Sequence, residues 1–182
     1  MPGRNDYGTP WPIYRWLDQL YQFEVDVAAN LENAKCSQFW SALEDGLKQT
    51  WASRRCFLNP PFSGDGHNIG DWLKKAYEES VAGALVVSLL PVRSAARWFQ
   101  EWIALSTEIW LLTPRIRFEG AKGTPHWDSM VVVYEPHPQH HVLKFVDWRK
   151  AVEEGDGFDT TTKPTDRPVV PTGPQPDDIS PL

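Results

Sequence analysis

Ala84-Leu85-Val86-Val87-Ser88-Leu89-Leu90-Pro91 is the stretch whose reading decides the fold. A continuous apolar run of this kind, with no polar alternation, marks a strand covered on both faces. Pro91 is expected to end it, because proline has no amide hydrogen to give to a ladder. Upstream, Ile69, Trp72, Leu73 and Ala76 recur at helical spacing within 69–79. Downstream, Trp98, Phe99, Trp102 and Ile103 form the apolar face of a helix that Ser94 would cap and that runs to Leu105. Further out, short segments at 23–28, 56–58, 108–112 and 130–134 read as strands, and Ile13, Trp16, Leu17 and Leu20 share one helical face after a start at Thr9 or Pro10. Strands alternating with amphipathic helices predict an α/β layered fold with a largely parallel sheet.

The whole chain has 182 residues and a mean hydropathy of -0.45, which fits one globular domain. No uncharged apolar run approaches the roughly 18–20 residues of a spanning helix. The opening Met1-Pro2-Gly3-Arg4-Asn5-Asp6 lacks a signal-peptide core, so a cytoplasmic protein with no membrane partner is expected. Cys36 and Cys56 are too few for a disulfide scaffold and form no Cys-x-x-Cys pair; both read as reduced core or near-core residues, and no metal site is expected. The net charge of -6 is unevenly spread. Residues 153–182 hold Glu153, Glu154, Asp156, Asp159, Asp166, Asp177 and Asp178 against Lys163 and Arg167, leaving 1–152 nearly neutral. Charge therefore neither indicates nor excludes a nucleic-acid partner. The segment 155–182 is also rich in proline and poor in large apolar residues, so it reads as a disordered acidic tail behind a domain spanning 1–154.

Open α/β sheets bind ligands beyond the carboxyl ends of their strands, which nominates Asp26, Asn59 and the region of Pro91. Asn59-Pro60-Pro61-Phe62 is the informative segment. The Asn59 amide oxygen and the Pro60 carbonyl can accept from an NH2 group, and Phe62 can stack on a planar ring. Two acceptors bonded to an aryl amine favour the pyramidal form that attacks a methyl donor, a stabilisation specific to the transition state.

That tetrapeptide matches the catalytic motif of amino-methyltransferases, and its surroundings resemble the phage-type DNA adenine methyltransferases, the Dam-like family of phages and prophages. The resemblance runs over roughly 8–134: Gly8-Thr9-Pro10, Phe23 to Ala29, Glu32 to Cys36, Glu44 to Leu47 with Trp51, Asn59 to Phe62, Leu89 to Arg93, and Arg115 to Phe118, in one order. It implies a Rossmann-like fold with helices on both faces, S-adenosylmethionine as cofactor and DNA as partner. It implies that Asn59, Pro60, Pro61 and Phe62 grip a flipped adenine. Asp26 and Ala28 resemble the cofactor-binding end of the first strand, Thr9 and Pro10 the segment meeting the cofactor's methionine part, and Asp45 the acid that meets its adenosine. One departure is that Val27-Ala28-Ala29-Asn30 stands where many related enzymes have a glycine-rich loop.

Methylating a paired base requires its extrusion. Arg93, Arg97, Arg115, Arg117 and Lys122, with Lys74 and Lys75, are the candidate phosphate contacts. Recognition would fall to loops 63–68 and 113–128, the former read as a lid. His137, His140 and His141 read as a solvated loop, and most of the ten tryptophans as packing residues. Three alternatives stand beside DNA adenine: an RNA adenine acceptor, a protein glutamine acceptor, and a catalytically silent nucleic-acid-binding domain.

Overall fold

The computed structural model describes residues 7–62, 68–136 and 141–154. Every residue of β4 (Leu85–Pro91) is buried, and its side chains alternate between two faces. Leu85, Val87 and Leu89 join Phe57, Trp110, Val131 and helix α1 (Trp11–Tyr21) in one core. Val86 and Leu90 join Cys56, Leu58, Met130, Val132 and helix α2 (Ile69–Val81) in another. The period of two along a strand thus makes two apolar layers from one run. Helices lie on both faces of the sheet, as the resemblance implies.

The helix ends follow local chemistry. Pro10 is the N-cap of α1 and Pro12 lies in its first turn, where a missing amide hydrogen costs nothing. Thr9 is therefore not the cap. Asn68 caps α2 by accepting from the Gly70 amide at 2.7 Å, while Asp71 accepts from the Asn68 amide at 3.0 Å.

The sheet has seven strands in the order β2 (Gln38–Phe39), β1 (Val25–Asp26), β3 (Arg55–Leu58), β4, β6 (Ser129–Tyr134), β5 (Glu108–Thr113), β7 (Val142–Asp147). It is mixed rather than largely parallel. β6 lies between β4 and β5 and runs antiparallel to both, while β1 pairs in parallel with β2 and β3, β3 with β4, and β5 with β7. The connection from β5 explains the difference: residues 114–128 contain no helix. A parallel neighbour needs a crossover, normally helical, so the chain returns alongside instead.

Other expectations shift at their edges. Pro91 closes β4 from inside, opposite Ser129, and the ladder continues with the Val92 amide donating to the Asp128 carbonyl at 2.8 Å. The helix expected at 94–105 is α3 (Arg97–Trp102), capped at Ala96 and not at Ser94, followed by a 3-10 turn at Ile103–Leu105. The strand expected at 23–28 narrows to β1. Strands β2 and β7 and helix α4 (Trp148–Glu154), whose Ala151 joins the α1 core, go beyond the sequence reading. Cys36 and Cys56 are both free, the second fully buried. No helix among the described residues is long and apolar enough to cross a membrane. The tail 155–182, the loop 63–67 and His137 and His140 lie outside the described residues.

Candidate active site

The parallel registers place Asp26 beside Phe57 and Leu58 beside Ser88, so β1, β3 and β4 deliver their carboxyl ends to one edge. Because β6 runs the other way, its amino end arrives there too. Asn59 leaves β3 at this edge, and its Nδ2 donates to the Tyr7 carbonyl at 2.9 Å. That bond commits the amide nitrogen to Tyr7. Oδ1 accepts no hydrogen bond among the described residues and stands as an available acceptor. Pro60 is buried behind it, and Pro61 and Phe62 are half-buried.

Phe62 meets Trp127 edge to face, with ring centroids 6.1 Å apart and planes at 82°. The Trp127 indole nitrogen is buried without a hydrogen-bond partner. Sequence reasoning missed Trp127, although it lies in the loop assigned to recognition. It comes to Phe62 only because β6 begins at the edge where β3 ends.

On the other side, the buried Thr9 hydroxyl also has no partner. Leaving a buried hydroxyl unbonded costs about 1–3 kcal/mol, so this is a place fitted for a polar ligand. Asp26 is 3% exposed and accepts from the amides of Lys35 at 3.1 Å and Ala28 at 3.5 Å, which closes the loop after β1 upon itself. Burial lifts its carboxyl from an ordinary value of 3.8 to about 6, against the two amides and the Lys35 charge, which pull it down. Burial likewise pushes the neighbouring Cys36 thiol up to about 12.

The Asp26 shift has a definite sign in stability. An acid whose folded pKa is raised stabilises the native state below its unfolded pKa, and that contribution is lost as pH rises through the folded one. Between about pH 4 and about pH 6 this group alone is expected to remove about 2 kcal/mol of stability. Urea unfolding of the wild type and of Asp26→Asn at those two pH values checks it, since only the wild type should carry this component. A buried carboxylate that strains against burial at neutral pH fits a functional site better than a packing role.

Asp45 has φ of 53°, in the left-handed region. Its carboxylate accepts from the Leu47 amide at 3.2 Å and pairs with Lys48 at 3.0 Å. Gly46 presses against the end of β1, where a Cβ would stand 2.0 Å from the Val27 carbonyl oxygen. The turn therefore sits beside the loop that Asp26 organises. Asp26, Ala28, Asp45, Thr9, Pro10 and Asn59 all belong to the segments gathered at this edge.

The basic candidates divide. Arg115 pairs with Asp128 at 2.8 Å and Arg97 with Glu101 at 2.6 Å, so both are partly neutralised. Arg93, Arg117 and Lys122 are exposed and carry no ion pair among the described residues. Arg93 follows β4 by two residues, and Arg117 and Lys122 lie between β5 and β6, so all three border the same edge. Lys74 and Lys75 belong to α2 instead, paired with Glu78 at 3.8 Å and Glu79 at 2.5 Å; Lys75 also lies 5.9 Å over the Trp51 ring, a packing position.

Sequence comparison shows the family. Residues 2–157 match the family described as DNA N-6-adenine-methyltransferase (Dam), and the chain belongs to that family. Among its relatives is the DNA N-6-adenine-methyltransferase of Haemophilus phage HP1 (strain HP1c1), 28% identical over 160 residues, covering 82% of this chain and 90% of the relative. Another is the DNA N-6-adenine-methyltransferase of Escherichia phage T1, 31% identical over 100 residues; the match spans 54% of this chain but only 40% of the T1 protein. The family read from the ordered motifs is thus the family that the comparison over residues 2–157 returns.

Proposed function

We propose that this protein transfers a methyl group from S-adenosylmethionine to the exocyclic amine of an adenine extruded from DNA. The observation that carries the reading is the half-satisfied Asn59: one amide hydrogen is given to the Tyr7 carbonyl, its oxygen is left for a donor, and the Phe62–Trp127 pair stands alongside. Asn59 Oδ1 and the Pro60 carbonyl accept the two amine hydrogens, which draws the nitrogen lone pair out of the ring and aims it at the methyl carbon. Phe62 stacks on the base, and the orphan indole N–H of Trp127 offers a donor to an acceptor atom on its rim. An extruded base exchanges pairing and stacking in the duplex for these contacts.

S-adenosylmethionine, when bound, supplies an electrophilic methyl on a sulfonium. The residues that would hold it are the Thr9-Pro10 segment, with its unpartnered hydroxyl, Asp26 and Ala28 at the end of β1, and Asp45 on the adjoining turn. Arg93, Arg117 and Lys122 would hold phosphates on either side of the extruded nucleotide. Replacing Arg93 and Arg117 together by alanine is expected to weaken DNA binding and flatten the log-affinity against log-salt slope by about 2. Fluorescence anisotropy across a salt series reads that slope. For Trp127→Ala, single-turnover methylation should slow by roughly tenfold, since it removes the edge-to-face support of Phe62 and one donor, each worth about 0.5–1.5 kcal/mol.

The direct test supplies radiolabelled S-adenosylmethionine and unmethylated DNA, followed by digestion to nucleosides. Label in methyladenine is the expected result. Label that stays out of DNA but enters RNA or protein would redirect the acceptor, and absence of both transfer and donor binding would remove the reading.

A further inference from the structure

The bond that orients Asn59 leads into a set of contacts that the transfer itself does not use. Tyr7, which accepts from Asn59, begins the segment 7–10, and the next residue forms an antiparallel bridge with Glu119, whose amide donates to the Gly8 carbonyl at 2.9 Å. The approach is close: a Cβ on residue 8 would stand 2.9 Å from Glu119 Oε2 and 3.3 Å from Glu119 Cβ. The same Oε2 accepts from Lys35 Nζ at 2.7 Å. The Lys35 side chain is 3% exposed and lies with its ammonium 4.3 Å over the Trp11 ring, just beyond the segment's far end. Its own amide binds Asp26. Lys35 is buried while Glu119 is 41% exposed, so parting the pair would leave the buried ammonium without its carboxylate; the ion pair thus favours the position of Glu119 and of the segment 7–10 bridged to it.

We propose that Lys35 and Glu119 are positioning residues for Asn59. The pair clamps the segment 7–10 against the sheet edge, so that the Tyr7 carbonyl keeps the Asn59 carboxamide turned with its oxygen toward the acceptor amine. This inference rests on the proposed role of Asn59. It joins residues distant in the chain: Lys35 and Glu119 are 84 positions apart, and Tyr7 and Asn59 are 52.

The experiment compares Glu119→Ala, Glu119→Gln and Lys35→Met with wild type, alone and combined with Asn59→Ala, using single-turnover methylation and spectra of protein labelled with 15N in asparagine side chains. In Glu119→Ala the transfer rate is expected to fall by about tenfold to a hundredfold, the scale of a misplaced reacting group. The Asn59 side-chain amide signals should move toward those of a solvent-exposed asparagine, with partial return of both in Glu119→Gln. In the Asn59→Ala background, Glu119→Ala should cost nothing further, because its effect passes through the missing carboxamide. Unmoved Asn59 signals in folded Glu119→Ala, or losses that multiply in the double variant, would overturn the positioning role while leaving Asn59 as the acceptor. Full activity of Asn59→Ala alone would instead overturn the reading of Asn59 itself. Should Glu119→Ala fail to fold, Glu119→Gln and Lys35→Met carry the same comparison.

Discussion

Asn59→Ala is expected to lower the methyl-transfer rate by about 10²–10³-fold, the usual cost of removing one preorganised polar group from a transition state. Loss of the amide oxygen takes away one of two acceptors for the amine hydrogens, so the amine stays conjugated with its ring. The fold should survive. Asn59 is half-buried, and the substitution removes one hydrogen bond, to the Tyr7 carbonyl, worth about 1 kcal/mol. Binding of S-adenosylmethionine should change little, since the proposed role of Asn59 is toward the acceptor. Asn59→Asp gives a sharper contrast: it keeps an acceptor oxygen but turns a second oxygen, without hydrogens, toward the Tyr7 carbonyl. Its rate should therefore also fall well below wild type. Single-turnover methylation beside calorimetric donor binding tests both variants, and wild-type rates in either would refute the assignment.

Gly46→Ala should be the most disruptive small substitution outside the two apolar layers. Its Cβ would lie 2.0 Å from the Val27 carbonyl oxygen and 3.2 Å from the Trp72 ring, and Val27 is backbone that follows directly from β1. Nothing flexible can yield. The Gly46 carbonyl also accepts from the buried Trp51 indole at 2.9 Å, so moving the turn breaks that bond as well. Overpacking of this kind costs about 3 kcal/mol or more, a large share of the roughly 5–15 kcal/mol that holds a domain folded. A drop of about 10 °C in melting temperature is the expected reading. Gly123→Ala is the control, because nothing lies within 4 Å of a Cβ there. Equal melting of Gly46→Ala and wild type would refute the close approach. Weaker donor binding in surviving protein would connect the turn to the cofactor.

The parts legible in the sequence were those whose signal is local. The run 84–90 announces a doubly covered strand by composition alone, and Asn59 is marked because two prolines stop the strand that delivers it. The helix at 69–79 was legible from the spacing of Ile69, Trp72, Leu73 and Ala76. The direction of β6 was not local information. It depends on residues 114–128 forming no crossover helix, and Gly120, Gly123, Pro114 and Pro125 in that stretch were the available signal. β7 alternates in sequence, with Lys144 between Leu143 and Phe145, but follows a proline- and histidine-rich connection that suggested only a loop. Trp127 and the Lys35–Glu119 pair were invisible for a different reason: each acquires its meaning from a partner brought by the fold from far along the chain.

The placement of β6 also orders events in time. As the chain emerges from the ribosome, β1, β3 and β4 can pair while later residues are still being added, and the edge carrying Asp26 and Asn59 takes shape with them. β5 follows, yet its place in the sheet is one strand removed from β4, and it has no ladder to join until β6 is made. Only when residues 129–134 slot between them do the two portions become one sheet, and only then does Trp127 arrive beside Phe62. The contact between Phe62 and Trp127 is thus among the last that the sheet edge acquires, because it waits on the strand that joins the two portions.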